Sequence, residues 1–300
     1  MKKYLLILAA ICMTMAANAK ILRVSNVSGS SAPYTTIEDA HNDASAGDTI
    51  MVDASVTRYG KSYDIALTKK VVLIGPGYWL VQNKLVEEGA GYAYVSGLVI
   101  KAVGTVVKGM TLGSIGIQAK NVVVNRCNIG NVFIKSGCDN AIISQCFISG
   151  EVNGDESNYH MITNNLFTTT QPYLDIVGVN NSYIAYNTCR ANKFEFNTSN
   201  CTIENNLLME IGNGGTGNSF NNNYLTDIIN TQATDDFIDS DYFNLEIPSE
   251  VLSLYGAFAG ESPYVISGIP TGPYIIGIDV PSTVEEGSTT TVTIKVNISK

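Results

Sequence analysis

The stretch VNRCNI at residues 124–129 is one of seven related phrases, and these phrases decide the fold. The others are VKGMTL at 107–112, ISQCFI at 143–148, ITNNLF at 162–167, IAYNTC at 184–189, IENNLL at 203–208 and FNNNYL at 220–225. Their first residues are separated by 17, 19, 19, 22, 19 and 17 residues along the chain. Self-similarity at a nearly constant spacing is typical of a chain that stacks one structural unit on the next.

Each position of the phrase keeps one chemical character. The first and sixth positions are apolar in all seven copies, which is expected of side chains that share one buried interior. The fourth position reads Met110, Cys127, Cys146, Asn165, Asn187, Asn206 and Asn223. The four consecutive asparagines predict a ladder, in which stacked amides hydrogen-bond to each other and to turn backbone that would otherwise be buried without partners.

Spacing and composition together predict an all-β chain that forms a right-handed parallel β-helix over residues 20–267. Short strands of successive coils pair about 4.8 Å apart, so that equivalent side chains stack on one another. Helical repeats usually have periods of about 33 to 47 residues, and the Asn and β-branched residues of these phrases are poor helix formers. Leucine-rich repeats have a similar period, but their Leu-x-x-Leu-x-Leu pattern is absent.

The segments outside the repeat predict a cap at each end of the β-helix. Thr35 and Glu38 fit a capping box, so residues 35–44 are predicted to form a short helix that covers the first coil. An uncovered end would expose apolar side chains and unpaired strand backbone. Residues 268–300 are rich in proline and end in an alternating stretch at 289–298, and we predict a β cap over the last coil there.

Residues 1–19 have the pattern of a secretory signal peptide. Lys2 and Lys3 precede the apolar run from 4 to 15, and Ala17-Asn18-Ala19 forms a small-x-small cleavage site. The run is shorter than the roughly 20 apolar residues that a membrane-spanning helix needs, and no later stretch predicts a transmembrane segment. We therefore expect export to the periplasm, the cell surface or the medium.

The net charge and the cysteine content limit which partners and cofactors the chain is expected to bind. The formal charge of −9 argues against nucleic acid, whose phosphates require a basic surface. The mature chain would keep five cysteines, an odd number that cannot pair completely within one chain. Cys127 and Cys146 are predicted to stack as free thiols, although their expected separation also suits a disulfide. We expect a monomer without a metal site or cofactor, with Ca²⁺ as the one possible ion.

The segments that flank the repeat resemble those of a known superfamily. A capping helix at 34–40, then AGDTIMV at 46–52 and VVLIGPG at 71–77, is an order similar to the start of pectate-lyase-like right-handed β-helices. The exit segment at 255–265 resembles that of secreted Bacteroidetes-type β-helix repeat proteins. The resemblance covers residues 20 to 270 and implies the fold. It does not select an activity, because the superfamily includes lyases, hydrolases, adhesins and proteins with no known reaction.

One row of charged residues stands out as a candidate catalytic site. Lys135, Asp155, Asp175 and Glu195 follow one another at intervals of 20 residues. Strand alternation is expected to point Lys135, Asp175 and Glu195 outward, with Asp175 and Glu195 about 5 Å apart on adjacent coils. Such a pair could bind Ca²⁺, divide the acid and nucleophile roles of a retaining glycosidase, or be a row of solvated charges.

Aromatic residues near the same coils are candidate substrate ligands. Tyr173, Tyr183 and Tyr186 could stack against sugar rings, or pack beneath loops. His160 could act as a general base toward a bound substrate, or serve as a buried hydrogen-bonding residue.

Two classes of function follow from these features. The motifs of polygalacturonase-like hydrolases do not occur in order, and no Arg or Lys stands beside clustered acidic ligands as in calcium-dependent pectate lyases. We therefore expect a secreted, non-catalytic protein that binds an extracellular polysaccharide or takes part in surface interactions. The alternative is a polysaccharide lyase or glycoside hydrolase in which Asp175, Glu195 and Lys135 are catalytic. A purely structural role is a third possibility.

Overall fold

The structure is a computed structural model that describes residues 19–60, 64–83, 85, 91–168, 173–190, 193–226, 247–279 and 293–299. The predicted signal peptide, apart from Ala19, lies outside these residues. In the described segments, no helix has the length and apolar character needed to cross a bilayer.

Ten parallel strands form the first sheet, which we call sheet 1. They are β1 (Ile21–Val24), β2 (Thr49–Val52), β4 (Val72–Ile74), β6 (Val106–Lys108), β8 (Val123–Asn125), β10 (Ile142–Ser144), β13 (Met161–Thr163), β16 (Tyr183–Ala185), β19 (Thr202–Glu204) and β22 (Ser219–Asn221). Each coil contributes one strand, and the first position of every phrase lies in this sheet. The register pairs Val124 with Ile143 and Ile143 with Ile162, so equivalent residues stack as predicted.

A second sheet of thirteen parallel strands closes the coils. Its first strands are β3 (Ile65–Leu67), β5 (Tyr94–Ile100), β7 (Thr111–Ile117) and β9 (Asn128–Ile134). Beyond β9 it divides into two limbs, because later coils break the strand at a bend. The short limb contains β11 (Phe147–Ile148), β14 (Leu166–Phe167), β17 (Thr188–Cys189), β20 (Leu207–Leu208) and β23 (Tyr224–Leu225). The long limb contains β12 (Val152–Asn158), β15 (Tyr173–Asn180), β18 (Lys193–Ser199) and β21 (Ile211–Asn213). The predicted parallel β-helix is therefore confirmed.

The interior is a continuous apolar column with the predicted asparagine ladder at one corner. Val124, Ile143 and Ile162 are fully buried along it. In the ladder, the Asn187 Nδ2 donates to Asn206 Oδ1 at 3.0 Å and to the Ile162 carbonyl at 2.9 Å. The five cysteines in the described chain are buried thiols that form no disulfide, and the Cys127 N–H points at Cys146 Sγ, 3.5 Å away. The prediction of stacked thiols is thus confirmed.

The N-terminal cap is a short helix, α1 (Ile37–Asp43). Its N-cap is Thr36, whose Oγ1 accepts a hydrogen bond from the Asp39 N–H at 3.1 Å. The capping pair predicted at Thr35 and Glu38 was therefore wrong by one residue. The observed phase places Ile37 and Ala40 in the core, and burial of that apolar face decides where the helix begins.

The third position of each phrase makes a tight turn, and in three phrases its side chain holds the C-terminal segment. Arg126, Gln145 and Asn164 have φ values of 54°, 55° and 57°, in the left-handed region. Their side chains point out of the coil and donate to backbone carbonyls of residues 255–270, which we call the strap. The acceptors are Ile269 O for Arg126, Pro263 O for Gln145, and Ala257 O and Ala259 O for Asn164. The strap therefore runs back along the stack from later coils to earlier ones.

Residues 268–300, where a β cap over the last coil is predicted, contain a C-terminal β hairpin. The strands β24 (Gly272–Asp279) and β25 (Thr293–Ser299) pair in antiparallel fashion. The short helix α2 (Ser249–Leu252) precedes the strap, and the strap carries the chain to Thr271, whose Oγ1 lies 3.5 Å from Lys108 Nζ. The hairpin thus starts near a middle coil. The strap also covers the outer face of the short limb, where Phe147, Leu166 and Tyr264 form a small second core.

Candidate functional site

The outer face of the long limb carries the sequence-predicted charged residues. Val132, Ile134, Phe194 and Phe196 are buried on the inner face, so their neighbours along the strands point outward. The register pairs Asp175 directly with Glu195 on the adjacent strand. The two carboxylates are therefore on adjacent coils, as the sequence predicts.

The rest of the predicted row is divided between two positions. Val152 pairs with Ile176, so Glu151, one residue earlier, lies beside Asp175 in the place expected for Asp155. Asn153 pairs with Phe133, which puts Asp155 next to Lys135 instead. The prediction of one row through Lys135, Asp155, Asp175 and Glu195 was wrong, because the chain from Phe167 to Ile176 is five residues longer than the equivalent segment from Ile148 to Val152, which shifts the register of β15 against β12. We call Glu151, Asp175 and Glu195 the acidic row.

The carboxylates of the acidic row differ in environment. Asp175 Oδ1 is buried without a hydrogen-bond partner. Burial raises the pKa of the Asp175 carboxyl above its usual range, and the neighbouring Glu195 and Glu151 raise it further. Glu195 Oε1 lies 2.5 Å from Lys193 Nζ. A Cβ added to Gly212 would lie 2.0 Å from Glu195 Oε2, so this carboxylate leans toward β21 and away from Asp175.

The acidic row is linear and does not converge on one point. Among the residues that the structure describes, no three His, Cys, Asp or Glu side chains gather closely enough to hold a metal ion. A cation that occupied this face would consequently meet at most one or two of these carboxylates at a time.

A cleft lies next to the acidic row, around Phe133. It has a volume of about 350 Å³ and is lined by Gly116, Ile117, Gln118, Phe133, Ile134, Lys135, Asn153 and Asp155. We call it the Phe133 cleft. The Phe133 ring is 44% exposed, and its register partner Gly116 has no side chain that would cover it. A cationic, an anionic and two amide side chains therefore surround one accessible aromatic ring.

The bulge in β12 positions one wall of the Phe133 cleft. Asp155 and Glu156 have φ values of 44° and 61°, which cost a non-glycine residue about 1 to 2 kcal/mol each. The Asp155 N–H donates to Asn153 Oδ1 at 3.1 Å, and Asp155 Oδ2 accepts from the Ser136 N–H at 3.1 Å. These bonds hold the strained backbone in place. Strain of this kind concentrates at ligand-binding and catalytic sites.

The predicted tyrosines do not form one site. Tyr183 lies on sheet 1, and its hydroxyl donates to Glu204 Oε1 at 2.8 Å. The Tyr186 ring faces Gly260 of the strap, where an added Cβ would lie 3.3 Å from the ring. Tyr173 begins β15 and pairs with Lys193, while its side chain lies outside the described part of the structure. Tyr173 and Tyr183 therefore belong to different sheets of the solenoid.

His160 is an interior residue with both ring nitrogens engaged. It is 1% exposed, and its Nδ1 accepts a hydrogen bond from the Ala141 N–H at 3.1 Å. Nε2 must then carry the proton and donate to Ser157 Oγ, 2.8 Å away. Burial lowers the pKa of His160 to about 4, which keeps the ring neutral. This arrangement suits a structural residue and leaves no free nitrogen for a substrate.

The buried neutral His160 predicts a specific pH dependence of stability. Its folded pKa of about 4 lies below the roughly 6.5 of an unfolded chain. The unfolded chain therefore binds the extra proton between these values, and the free energy of unfolding should fall by up to about 3 kcal/mol as pH drops from 6.5 to 4. Urea unfolding at several pH values would measure this. His160→Gln should flatten the decline, and an equally steep decline in that variant would contradict the assignment.

Sequence reasoning missed Phe133 although a signal was present. The alternation that directs Ile134 inward also directs Phe133 outward, and a large outward-facing aromatic ring is a common feature of ligand sites. Asn153 and Gln118 had no such signal. Their position beside Phe133 depends on the register of β9 with its two neighbours, β7 and β12.

Comparison with known proteins adds no relative. Neither family models, nor curated proteins, nor solved structures give a match to this chain. What can be inferred about function therefore comes from the fold and from the two neighbouring surface features on the long limb.

Proposed function

We propose that this chain is an exported β-helix protein that binds an extracellular carbohydrate without catalysing a reaction. The supporting observation is the Phe133 cleft, an open aromatic site with polar side chains at its rim. Binding would occur on the outer face of the long limb.

The chemistry of the cleft matches that of a sugar ring. A pyranose has one apolar face, which can stack on an aromatic ring, and hydroxyl groups around its edge. Phe133 would supply the stacking surface, while Gln118 and Asn153 would supply amides that both donate and accept hydrogen bonds. Lys135 and Asp155 add charged groups that hydrogen-bond hydroxyls more strongly than neutral groups do.

The scaffold favours binding of an extended ligand. The strands of the long limb pair on both sides within a rigid stack, so the side chains are largely held in position before a ligand arrives. Such preorganisation reduces the entropy lost on binding. The neighbouring coils continue the same surface on either side of the cleft, which suits a polymer more than a small molecule.

Removing the aromatic ring should weaken binding most. We expect Phe133→Ala to lower the affinity for a glycan about tenfold or more, the loss of roughly 1.4 kcal/mol of stacking. A glycan array would identify a ligand, and titration calorimetry would measure its affinity. Met161→Ala is the matched control, because Met161 is also 44% exposed but lies on sheet 1. Lack of any glycan binding by the unaltered chain, or unchanged affinity in Phe133→Ala, would refute the proposal.

A second candidate function is a polysaccharide lyase or glycoside hydrolase. The feature that favours it is the pair Asp175 and Glu195, in which one carboxyl has a raised pKa while the other is paired with Lys193. Neighbouring carboxyls in unlike environments can divide acid and base roles. The similarity of the flanking segments to pectate-lyase-like proteins also supports it. However, the Glu195 carboxylate leans away from Asp175, and Lys135 lies four residues from the matching position in its own strand.

The enzymatic alternative makes a clear prediction. If Asp175 and Glu195 catalyse turnover, Glu195→Gln and Asp175→Asn should each reduce the rate at least about a hundredfold. An ultraviolet-absorbing unsaturated product would identify a lyase, and new reducing ends alone would identify a hydrolase. Full turnover in both variants would eliminate this pair as the catalytic groups.

A further inference from the structure

The acidic row lies directly beside the Phe133 cleft on the same face. The strands follow one another in the order β9, β12, β15 and β18. Phe133 and Asn153 are neighbours on β9 and β12, and Glu151 is two residues from Asn153, or about 7 Å along the strand. A ligand that crosses the strands from Phe133 would therefore lie over Asn153 and Val177, with Glu151 and Asp175 about 7 Å to one side.

Two carboxylates of the row lack a positive partner. Lys193 forms ion pairs with Glu195 and with Glu210, at 2.5 and 3.9 Å. Within the described part of the chain, no Lys or Arg forms an ion pair with Glu151 or Asp175. Asp175 Oδ1 is in addition buried without any hydrogen-bond donor. The row therefore carries more negative charge than the described part of the chain neutralises by ion pairs.

The spacing of these carboxylates suits a polymer with one cation per unit. They lie on adjacent strands, about 4.8 Å apart, and do not gather around one metal position. A linear chain of pyranose units that runs along the solenoid axis would place successive units over successive strands. An amino group on such units could reach the carboxylates in turn.

We propose that the ligand of this face is a glycan with free amino groups, a hexosamine polymer that stacks on Phe133 and places ammonium groups beside Glu151 and Asp175. This proposal rests on the proposed carbohydrate-binding function and specifies its substrate class. An ammonium group beside the Asp175 carboxylate would offset the repulsion within the row. A polyuronate would add carboxylates to a face that already carries three.

The test compares four oligosaccharides of equal length with the full chain. The probes are β-1,4-linked oligomers of glucosamine, N-acetylglucosamine and glucose, together with an oligogalacturonate. At low salt and mildly acidic pH, where the amino groups are protonated, we expect the glucosamine oligomer to bind about tenfold more tightly than the two uncharged oligomers, and the oligogalacturonate not to bind. Because the row is open to solvent, this preference should shrink as salt is added.

Variants separate the substrate class from the binding function itself. The double substitution Glu151→Gln with Asp175→Asn should reduce the ratio of glucosamine to glucose affinity to about one. Glu261→Gln removes the same type of charge from the exposed strap and should leave the ratio unchanged. Phe133→Ala should weaken all bound oligomers alike. Equal affinity for charged and uncharged oligomers, or a preference that survives the double substitution, would overturn the amino-sugar proposal while carbohydrate binding stood. Failure of every oligomer to bind would overturn both.

Discussion

Replacing Asn187 with leucine should lower the free energy of unfolding by about 3 to 5 kcal/mol, because it removes the centre of the asparagine ladder. The side-chain Oδ1 accepts from both the backbone N–H and the Nδ2 of Asn165 at 3.0 Å. Its Nδ2 donates to the Ile162 carbonyl and to Asn206 Oδ1. All four groups are buried, so each would lose one partner without gaining water. Asn165 Nδ2 would keep the Ile143 carbonyl, and Asn206 Oδ1 would keep the backbone N–H of residue 187. A buried donor or acceptor that is left unpaired costs about 1 to 3 kcal/mol.

Chemical denaturation of the two chains would measure this loss. Asn197→Leu is the control, since Asn197 is exposed on the outer face of β18 and its replacement should change the free energy of unfolding by less than about 0.5 kcal/mol. Asn187→Asp has nearly the same shape but donates no hydrogen bond when ionised, so it tests whether bonding or packing matters. Near-native stability in both Asn187 variants would show that the ladder is dispensable.

Replacing Gly130 with alanine should destabilise the fold by about 3 kcal/mol, near the upper end for overpacking. A Cβ at this position would lie 2.1 Å from the carbonyl oxygen of Gly113 on the preceding coil. That oxygen belongs to the backbone and is fixed by the stack, so it cannot move aside as a flexible side chain would. Gly113 has the same relation to the carbonyl of Ser96, at 2.4 Å. The bend between the short and long limbs therefore depends on glycine for close approach.

Gly116→Ala provides the matched control in the same sheet. A Cβ there would meet nothing closer than 3.7 Å, and its backbone angles suit any residue. We expect this variant to be as stable as the unaltered chain, or up to about 1 kcal/mol more stable, because alanine restricts the unfolded chain. Thermal unfolding followed by circular dichroism would compare the two. Equal midpoints for both glycine variants would contradict the close approach at Gly130.

The interior of this protein was predictable from sequence because every coil must place an apolar side chain at the same stacked position. Ile143 and Ile162 occupy equivalent positions for the same physical reason, so the pattern can be seen without coordinates. The asparagine ladder was predictable on the same basis. The pairing of Asp175 with Glu195 followed as well, since no bulge separates the relevant parts of β15 and β18.

The outer face was predictable only in part. The neighbour of Asp175 is Glu151 and not Asp155, because the segment that leads into β15 is five residues longer than the one that leads into β12, which changes the count between coils. Regular spacing in sequence therefore gave a false match at Asp155. The strap was not predicted either. Its contacts are made by residues at the third position of the phrase, such as Arg126, Gln145 and Asn164. These residues share a backbone geometry but differ in chemical type, so no sequence pattern marks them.

The strap also changes how the solenoid is expected to unfold. In an ordinary solenoid each coil touches only its neighbours, so unfolding can spread inward one coil at a time from a frayed end. Here residues far apart in the stack are tied by one continuous segment, from Gly256 at Asn205 to Ile269 at Arg126. A coil in the tied region cannot melt alone without also detaching that segment. The tied coils should therefore unfold together as one cooperative unit instead of one at a time. This unit becomes complete only when the C-terminal part of the chain has been synthesised.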